Sequence, residues 1–197
     1  MVSAAPIVGF TGMTWLNEPL SATQSDSALT VRTRHATDFW QETFYGFKRH
    51  SGHFMRRQIT GEFTAEVVVT GKFEQLYDQA GLMLRIDEAH WVKTGIELTD
   101  GAMHFSVVVT DGLSDWSLFE WPQDQAHARI RLTRHRDGIR VHYLDGRQKW
   151  RPVRLGHLVW SETAEIGVMC CSPEREGFEA TFQDFSVSAP ISRQLHD

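Results

Sequence analysis

Cysteine is almost absent from this 197-residue chain, and the two that occur, Cys170 and Cys171, are adjacent. Neighbouring residues on an extended strand point to opposite faces, so the pair does not meet the geometry of a disulfide. A disulfide scaffold is excluded, and a reducing compartment fits. With no third cysteine the thiols make no zinc set, and one is expected in the core with the other beside it. Long hydrophobic runs are missing as well. No stretch approaches the ~20 apolar residues of a membrane span, and the opening MVSAAPIVGFTGM lacks the basic start and sustained apolar run of a secretory signal. The expected setting is soluble and cytoplasmic, without a membrane partner.

An excess of positive charge is also lacking. The formal net charge is -5 and the pI about 6.0, which argues against a nucleic-acid partner tracked through its phosphates. The densest basic patch, Arg129, Arg131, Arg134, His135 and Arg136, alternates with Ile130 and Leu132 and reads as a solvated strand face. Nucleotide-handling fingerprints do not occur: there is no Walker loop and no Gly-x-Gly-x-x-Gly. Neither a Gly-x-Ser-x-Gly nucleophile elbow nor a calcium loop of clustered Asp and Asn is present. His50-Ser51-Gly52-His53 places two imidazoles close together but has no acidic or cysteine partner nearby, so no metal or cofactor is predicted. Helical periodicity is scarce throughout.

Alternation is what the sequence does have. Leu29 to Arg34, Phe63 to Phe73, Met103 to Val109, Ile130 to Thr133, Ile139 to Tyr143, Ile166 to Cys170 and Phe178 to Phe182 alternate, and Phe185 and Val187 close the ordered region. Asp-Gly pairs at Asp100, Asp111, Asp137 and Asp145 supply hairpin turns between such runs. Many short strands with turns predict an all-β sandwich or barrel. Hydrophobic residues at 41% and charged residues at 23% suit a soluble globule. The expectation is a single β-sandwich domain over residues 1–197, with an ordered core from about residue 11 to 188 and short flexible ends.

Five motifs occur in order: Thr37-Asp38-Phe39-Trp40, Tyr77-Asp78-Gln79-Ala80-Gly81-Leu82, Trp91-Val92-Lys93-Thr94-Gly95-Ile96-Glu97, Ser114-Asp115-Trp116-Ser117 and Cys171-Ser172-Pro173. Together they resemble an uncharacterised family that includes a regulation-of-enolase protein. The resemblance spans about Thr11 to Ser188. It implies the fold of the concanavalin A-like lectins and glucanases, a jelly roll of two antiparallel sheets, one of them concave. Gln-Ala-Gly-Leu followed by an aromatic strand is also similar to the accessory sandwich domain of some β-xylosidases. No reaction is implied.

Within Tyr77 to Ser117, Ala80, Leu82, Leu84 and Ile86 alternate with Gln79, Met83 and Arg85, and Val92, Thr94, Ile96 and Leu98 alternate with Trp91, Lys93, Gly95 and Glu97. If the apolar sides face the core, the opposite side collects Gln79, Arg85, Trp91, Lys93, Glu97, His104, Ser106 and Thr110. In a jelly roll this is the expected concave face. An indole stacks on a sugar ring while amides, carboxylates and cations bond its hydroxyls, so these eight are the candidate ligand-binding residues. Lys93 and Glu97, four apart on one strand face, also fit a plain surface charge ladder. A glycosidase needs two carboxyl groups across the scissile bond, and Glu97 with Asp78 or Asp115 is the available pair. The glucanase Glu-x-Asp-x-x-Glu strand motif is absent, however. Asp78 is expected to bond backbone amides at the strand entrance, Asp115 to cap a turn with Ser114 and Ser117, and Trp40 and Trp116 to pack in the core. The leading expectation is a non-catalytic domain that binds a saccharide or sugar-derived metabolite. The alternative is a protein-interaction module acting on enolase or sugar metabolism, with a glycoside hydrolase-like enzyme third.

Overall fold

The computed structural model describes residues 6–25, 27–122, 125–136 and 138–195. The alternating runs become strands, because a period of two puts every second side chain on a face that can be buried. Among the described residues these strands number seventeen, and no helix occurs. They are β1 (Ile7–Val8), β2 (Thr14–Leu16), β3 (Ser21–Gln24), β4 (Ala28–Arg32), β5 (Phe39–Gln41), β6 (Lys48–His50), β7 (His53–Thr60), β8 (Phe63–Gly71) and β9 (Gln79–Arg85). They continue as β10 (His90–Thr99), β11 (Ala102–Asp111), β12 (Leu113–Glu120), β13 (Ala128–His135), β14 (Gly138–Leu144), β15 (Trp150–Gly156), β16 (Thr163–Cys171) and β17 (Glu179–Ser188).

Two large antiparallel sheets result, the jelly-roll sandwich expected from the sequence. The first runs β15-β14-β13-β8-β17-β4-β3, with β1 pairing on β17. The second runs β12-β11-β10-β9-β16-β7-β2, and β5 with β6 forms a separate small hairpin sheet. The β9–β12 meander carries the stretch singled out in the sequence. Its register is set at Asp100-Gly101, both with left-handed φ (52° and 76°), as a two-residue hairpin turn requires. Thr99 therefore pairs with Ala102, Glu97 with His104 and Lys93 with Val108. The Asp137 turn lies outside the described residues.

The main core fills the space between the sheets. Ala80, Leu82, Leu84, Val92, Ile96, Phe105 and Val107 from the second meet Phe63, Ala65, Val67, Ile130, Leu132 and Val141 from the first. Each such side chain, fully buried, contributes about 1.5–3 kcal/mol if Leu- or Phe-sized. Strand β17 departs from strict alternation: Phe182 and Phe185 are three apart, yet both are fully buried. A bulge between Gln183 and Ser186, with Asp184 at φ 53°, absorbs the extra residue and lets Phe185 stack on Phe10 at 5.6 Å.

A second apolar cluster lies on the other face of the second sheet. It joins Met83, Trp91, Val108, Met169 and Cys171 to Phe39, Trp40 and Phe54. The two thiols divide as expected, Cys170 in the main core and Cys171 in this outer cluster. The face expected to lie open is therefore partly roofed, by the β5–β6 hairpin. Among the described residues no helix is long and apolar enough to cross a membrane.

Candidate functional site

The roof is the segment from Thr33 to Gly52, pinned to the second sheet at both ends and along one side. Thr33 Oγ1 meets Ser172 Oγ at 2.5 Å, the Ser172 N–H donates to Thr37 Oγ1 at 3.0 Å, and the Arg34 N–H donates to His53 Nε2 at 2.9 Å. The Gln41 N–H donates to Ser114 Oγ at 2.9 Å, and Gln41 Nε2 donates to the Glu88 carbonyl at 2.7 Å. Inside these polar pins Phe39 packs on Trp91, ring centroids 6.2 Å apart. Gly52 leaves the room this needs, since a Cβ there would lie 2.3 Å from the Phe39 ring.

Beyond Phe39 the hairpin parts from the sheet and leaves a pocket of about 180 Å³. The sheet supplies Gln79, Lys93, Glu97 and Val108, and the hairpin supplies Trp40, Tyr45 and Phe47. Trp116 from β12, Tyr77, Asp38 and the Pro173-Glu174 turn complete it. Tyr77 holds a left-handed backbone (φ 64°), and its hydroxyl lies 3.3 Å from that of Tyr45, so the two phenols meet across the rim. That hydrogen bond, followed by partial burial, pushes the Tyr77 phenol up to about 12. Asp78, fully buried next to it, accepts from the Glu74 and Gln75 amides and from the Arg175 guanidinium, which fixes the rim on both sides.

The polar groups at the base form one network. Lys93 Nζ donates to Asp38 Oδ1 at 3.0 Å, and the same oxygen accepts from the Phe39 N–H at 2.8 Å and from Gln79 Nε2 at 3.5 Å. Trp116 Nε1 donates to Ser106 Oγ at 3.0 Å and to Glu97 Oε2 at 3.3 Å. Burial opposes the charge on Lys93, but the Asp38 carboxylate, with help from Glu97, outweighs it and holds the ammonium above its ordinary range. Glu97 has no such dedicated partner. Burial pushes its carboxyl up, Asp38 adds to the push, and Lys93 only partly offsets it. The site thus holds one ion pair and one carboxyl biased toward its protonated form. These groups offer donors and acceptors flanked by flat apolar rings.

Of the eight candidate residues, Gln79, Lys93 and Glu97 come together in the pocket, and Ser106 supports it through Trp116. The other four are placed elsewhere. Trp91 is fully buried under Phe39, its indole N–H donating to the Glu88 carbonyl at 3.1 Å, so it has no face to offer a ligand. Arg85 is engaged at the far end of β9 by Glu165 at 2.9 Å. Thr110 is buried against Ser114 at 2.9 Å, and His104 Nδ1 turns to the Ala102 carbonyl at 3.0 Å. Trp116, expected in the core from the sequence, is half-buried and lines the pocket; Trp40 is buried in the outer cluster, as expected, and also walls the pocket. Asp115 lies within strand β12 and pairs with Arg154 at 2.8 Å rather than capping a turn. His53, one half of the close histidine pair, is buried and spends both ring nitrogens on the Arg34 amide and the Asn17 carbonyl. Sequence reading did not place Asp38, Tyr45, Phe47 and Tyr77 in the site; the available signals were the family motifs that contain Asp38 and Tyr77 and the aromatic density of Trp40 to Phe47.

The family described as "Protein of unknown function (DUF1349)" matches residues 15–190. The chain belongs to this family. Regulation of enolase protein 1 of Saccharomyces cerevisiae is similar to it, 44% identical over 184 residues that cover 93% of each protein. A crystal structure of a functionally unknown protein from Saccharomyces cerevisiae superposes with a TM-score of 0.89 at 42% identity, covering 93% of this chain and 100% of that one. The carbohydrate binding module CBM66 from Bacillus subtilis shares the DUF1349 sandwich at a TM-score of 0.59 and 15% identity, covering 91% and 97% of the two chains. At that identity the likeness concerns the fold.

Proposed function

We propose that the pocket between the β5–β6 hairpin and the second sheet binds a carbohydrate or small polar metabolite without catalysis. The observation that carries this reading is the pairing of buried hydrogen-bonding groups, Gln79, Lys93 and Glu97, with the rings of Trp116, Trp40 and Tyr45 in one cavity. Such a mixture of few fixed polar groups and aromatic walls is how small ligands are oriented. At about 180 Å³ the cavity is below the ~300–1,000 Å³ of drug-sized sites, which favours a single sugar ring or an acyclic polyol. The fold shared with a carbohydrate binding module supports the same reading. Hydrolysis by the pairs available from the sequence is disfavoured, because Asp78 is committed to Arg175 and Asp115 to Arg154, and Asp38 is likewise committed to Lys93.

Thermal unfolding against a panel of monosaccharides, polyols and phosphorylated sugars tests it, since a ligand selective for the native state raises the melting point. At least one member should raise it in the parent protein and fail to do so in Trp116→Ala. A flat panel, or a shift that Trp116→Ala retains, would overturn the assignment. The protein-interaction reading has an observation of its own. Phe44, at the hairpin tip, is 95% exposed and edge-on to Tyr45 at 5.2 Å, the kind of aromatic that anchors an interface. If that reading holds, Phe44→Ser abolishes recovery of a specific partner while leaving ligand shifts unchanged.

A further inference from the structure

On the opposite side of the molecule, β14 turns Ile139 and Val141 into the main core and Arg140 and His142 outward, onto the far face of the first sheet. Neither side chain is solvated: Arg140 is 6% and His142 5% exposed. The tail at Ser192 and Leu195 lies over them. Arg140 Nη1 donates to the Ser192 carbonyl at 2.7 Å, and Leu195 lines the adjoining space.

Three nearby arginines have carboxylate partners. Arg131 pairs with Glu66 at 2.7 Å, Arg154 with Asp115 at 2.8 Å and Arg193 with Glu62 at 3.7 Å. Among the described residues Arg140 has none. Its second nitrogen, Nη2, faces His142 Nε2 at 3.5 Å. A guanidinium has hydrogens only to donate, so Nε2 is the accepting nitrogen and Nδ1 carries the imidazole hydrogen. That Nδ1 is buried and meets no partner among the described residues. Among the described residues, then, a cation without a counter-charge and an N–H without an acceptor sit side by side, an arrangement that is costly when nothing binds.

Two cavities adjoin the pair. One, of about 440 Å³, is lined by Arg140, His135, His157 and Arg193; the other, of about 220 Å³, by Arg140, His142, Arg154 and Leu195. No described carboxylate lines either, in a protein whose net charge is -5. Burial, with Arg140 and Arg131 close by, pushes the His142 imidazole down to about 4, in keeping with a positive local field.

We propose that Arg140 and His142 form a second ligand site, specific for a small oxyanion such as phosphate or the phosphoryl group of a metabolite. The guanidinium supplies charge and donors, and the His142 Nδ1–H adds a further one, the combination that recognises phosphoryl oxygens. The site is independent of the carbohydrate pocket.

The test is thermal unfolding in inorganic phosphate, with ionic strength held constant by chloride. At about twenty times the dissociation constant the parent protein should melt several degrees higher. Arg140→Met should lose that rise, while Arg151→Gln, an exposed arginine paired with Asp145, and Trp116→Ala should keep it. Glycerol 3-phosphate, with glycerol as its control, separates sources: a larger rise than with inorganic phosphate assigns a metabolite's phosphoryl group, and an equal rise assigns free phosphate. No rise in the parent, or an equal one in Arg140→Met, overturns the proposal. Should Arg140→Met fail to fold, ¹⁵N spectra of the parent's imidazoles decide: saturating phosphate must raise the His142 pKa from about 4, and an unmoved resonance refutes the site.

Discussion

Replacing Lys93 by Met probes the electrostatic centre of the pocket while keeping the apolar stem of the side chain. In the parent the Lys93 side chain is 6% exposed and its ammonium lies 3.0 Å from Asp38, whose side chain is 17% exposed. Removing one partner of a buried pair costs about 3–5 kcal/mol, because the other charge is left desolvated and alone. Asp38 would keep the Phe39 amide at 2.8 Å and some contact with water, which lowers the cost below that of a fully buried pair, to about 2–3 kcal/mol. For a chain of this size that is a fall of roughly 5–10 °C in melting temperature. Adding Asp38→Asn removes the orphaned charge, and the double variant should recover most of the loss. Urea unfolding at pH 7, followed by circular dichroism, reads both. A Lys93→Met change below about 0.5 kcal/mol, or a double variant no more stable than the single, would refute the reasoning.

Glu97→Gln tests the raised carboxyl. A folded-state pKa above the ordinary 4.5 means the native state binds its proton more tightly than the unfolded chain, so stability is lost as pH rises past 4.5 and through the folded value. The amide cannot ionise, and the variant should outlast the parent at pH 7 with the gap closing toward pH 4; a gap independent of pH contradicts this. Trp91→Ala should cost about 3–5 kcal/mol, as expected of a buried aromatic, with ligand shifts retained in whatever still folds; loss of binding without loss of stability would restore Trp91 to the site. Gly95→Ala would put a Cβ 2.0 Å from the Ala80 carbonyl oxygen, so denaturant melts should show a loss beyond about 3 kcal/mol or no folded protein. Burial pushes both thiols well above their usual range, so Cys170 and Cys171 should react with a thiol reagent only as the protein unfolds.

Period and turn chemistry made the sandwich legible, because alternation within a strand and an Asp-Gly turn between strands are local properties. Once β10 and β11 are joined at Asp100-Gly101, Lys93, Glu97 and Ser106 must share a face, and pairing of β9 with β10 adds Gln79. What covers that face was not legible. Asp38 meets Lys93 across 55 residues of sequence, and Gln41 meets Ser114 across 73. Nothing in the alternation of β10 distinguishes a strand face open to solvent from one roofed by a distant hairpin, so Trp91 read as a platform when it is the hairpin's anchor. Trp116 erred in the opposite sense. Leu113 to Glu120 contains enough Ser and Asp to look like a turn, whereas pairing with β11 extends it as a strand and sets Trp116 over Val108, facing the pocket. The pairing of Asp78 with amides was foreseen from its place at the strand entrance, but its clasp by Arg175, 97 residues on, was not.

The pocket's role as a ligand site is tested most directly by the indole N–H resonances of the protein during titration with a sugar or polyol that raises its melting point. Trp116 shares its N–H between Glu97 and Ser106 at the base of the pocket, whereas Trp91 donates to the Glu88 carbonyl beneath Phe39. Binding in the pocket predicts that the Trp116 resonance shifts saturably with the ligand while that of Trp91 stays nearly still. A Trp116 resonance that does not move at saturating ligand would contradict the assignment.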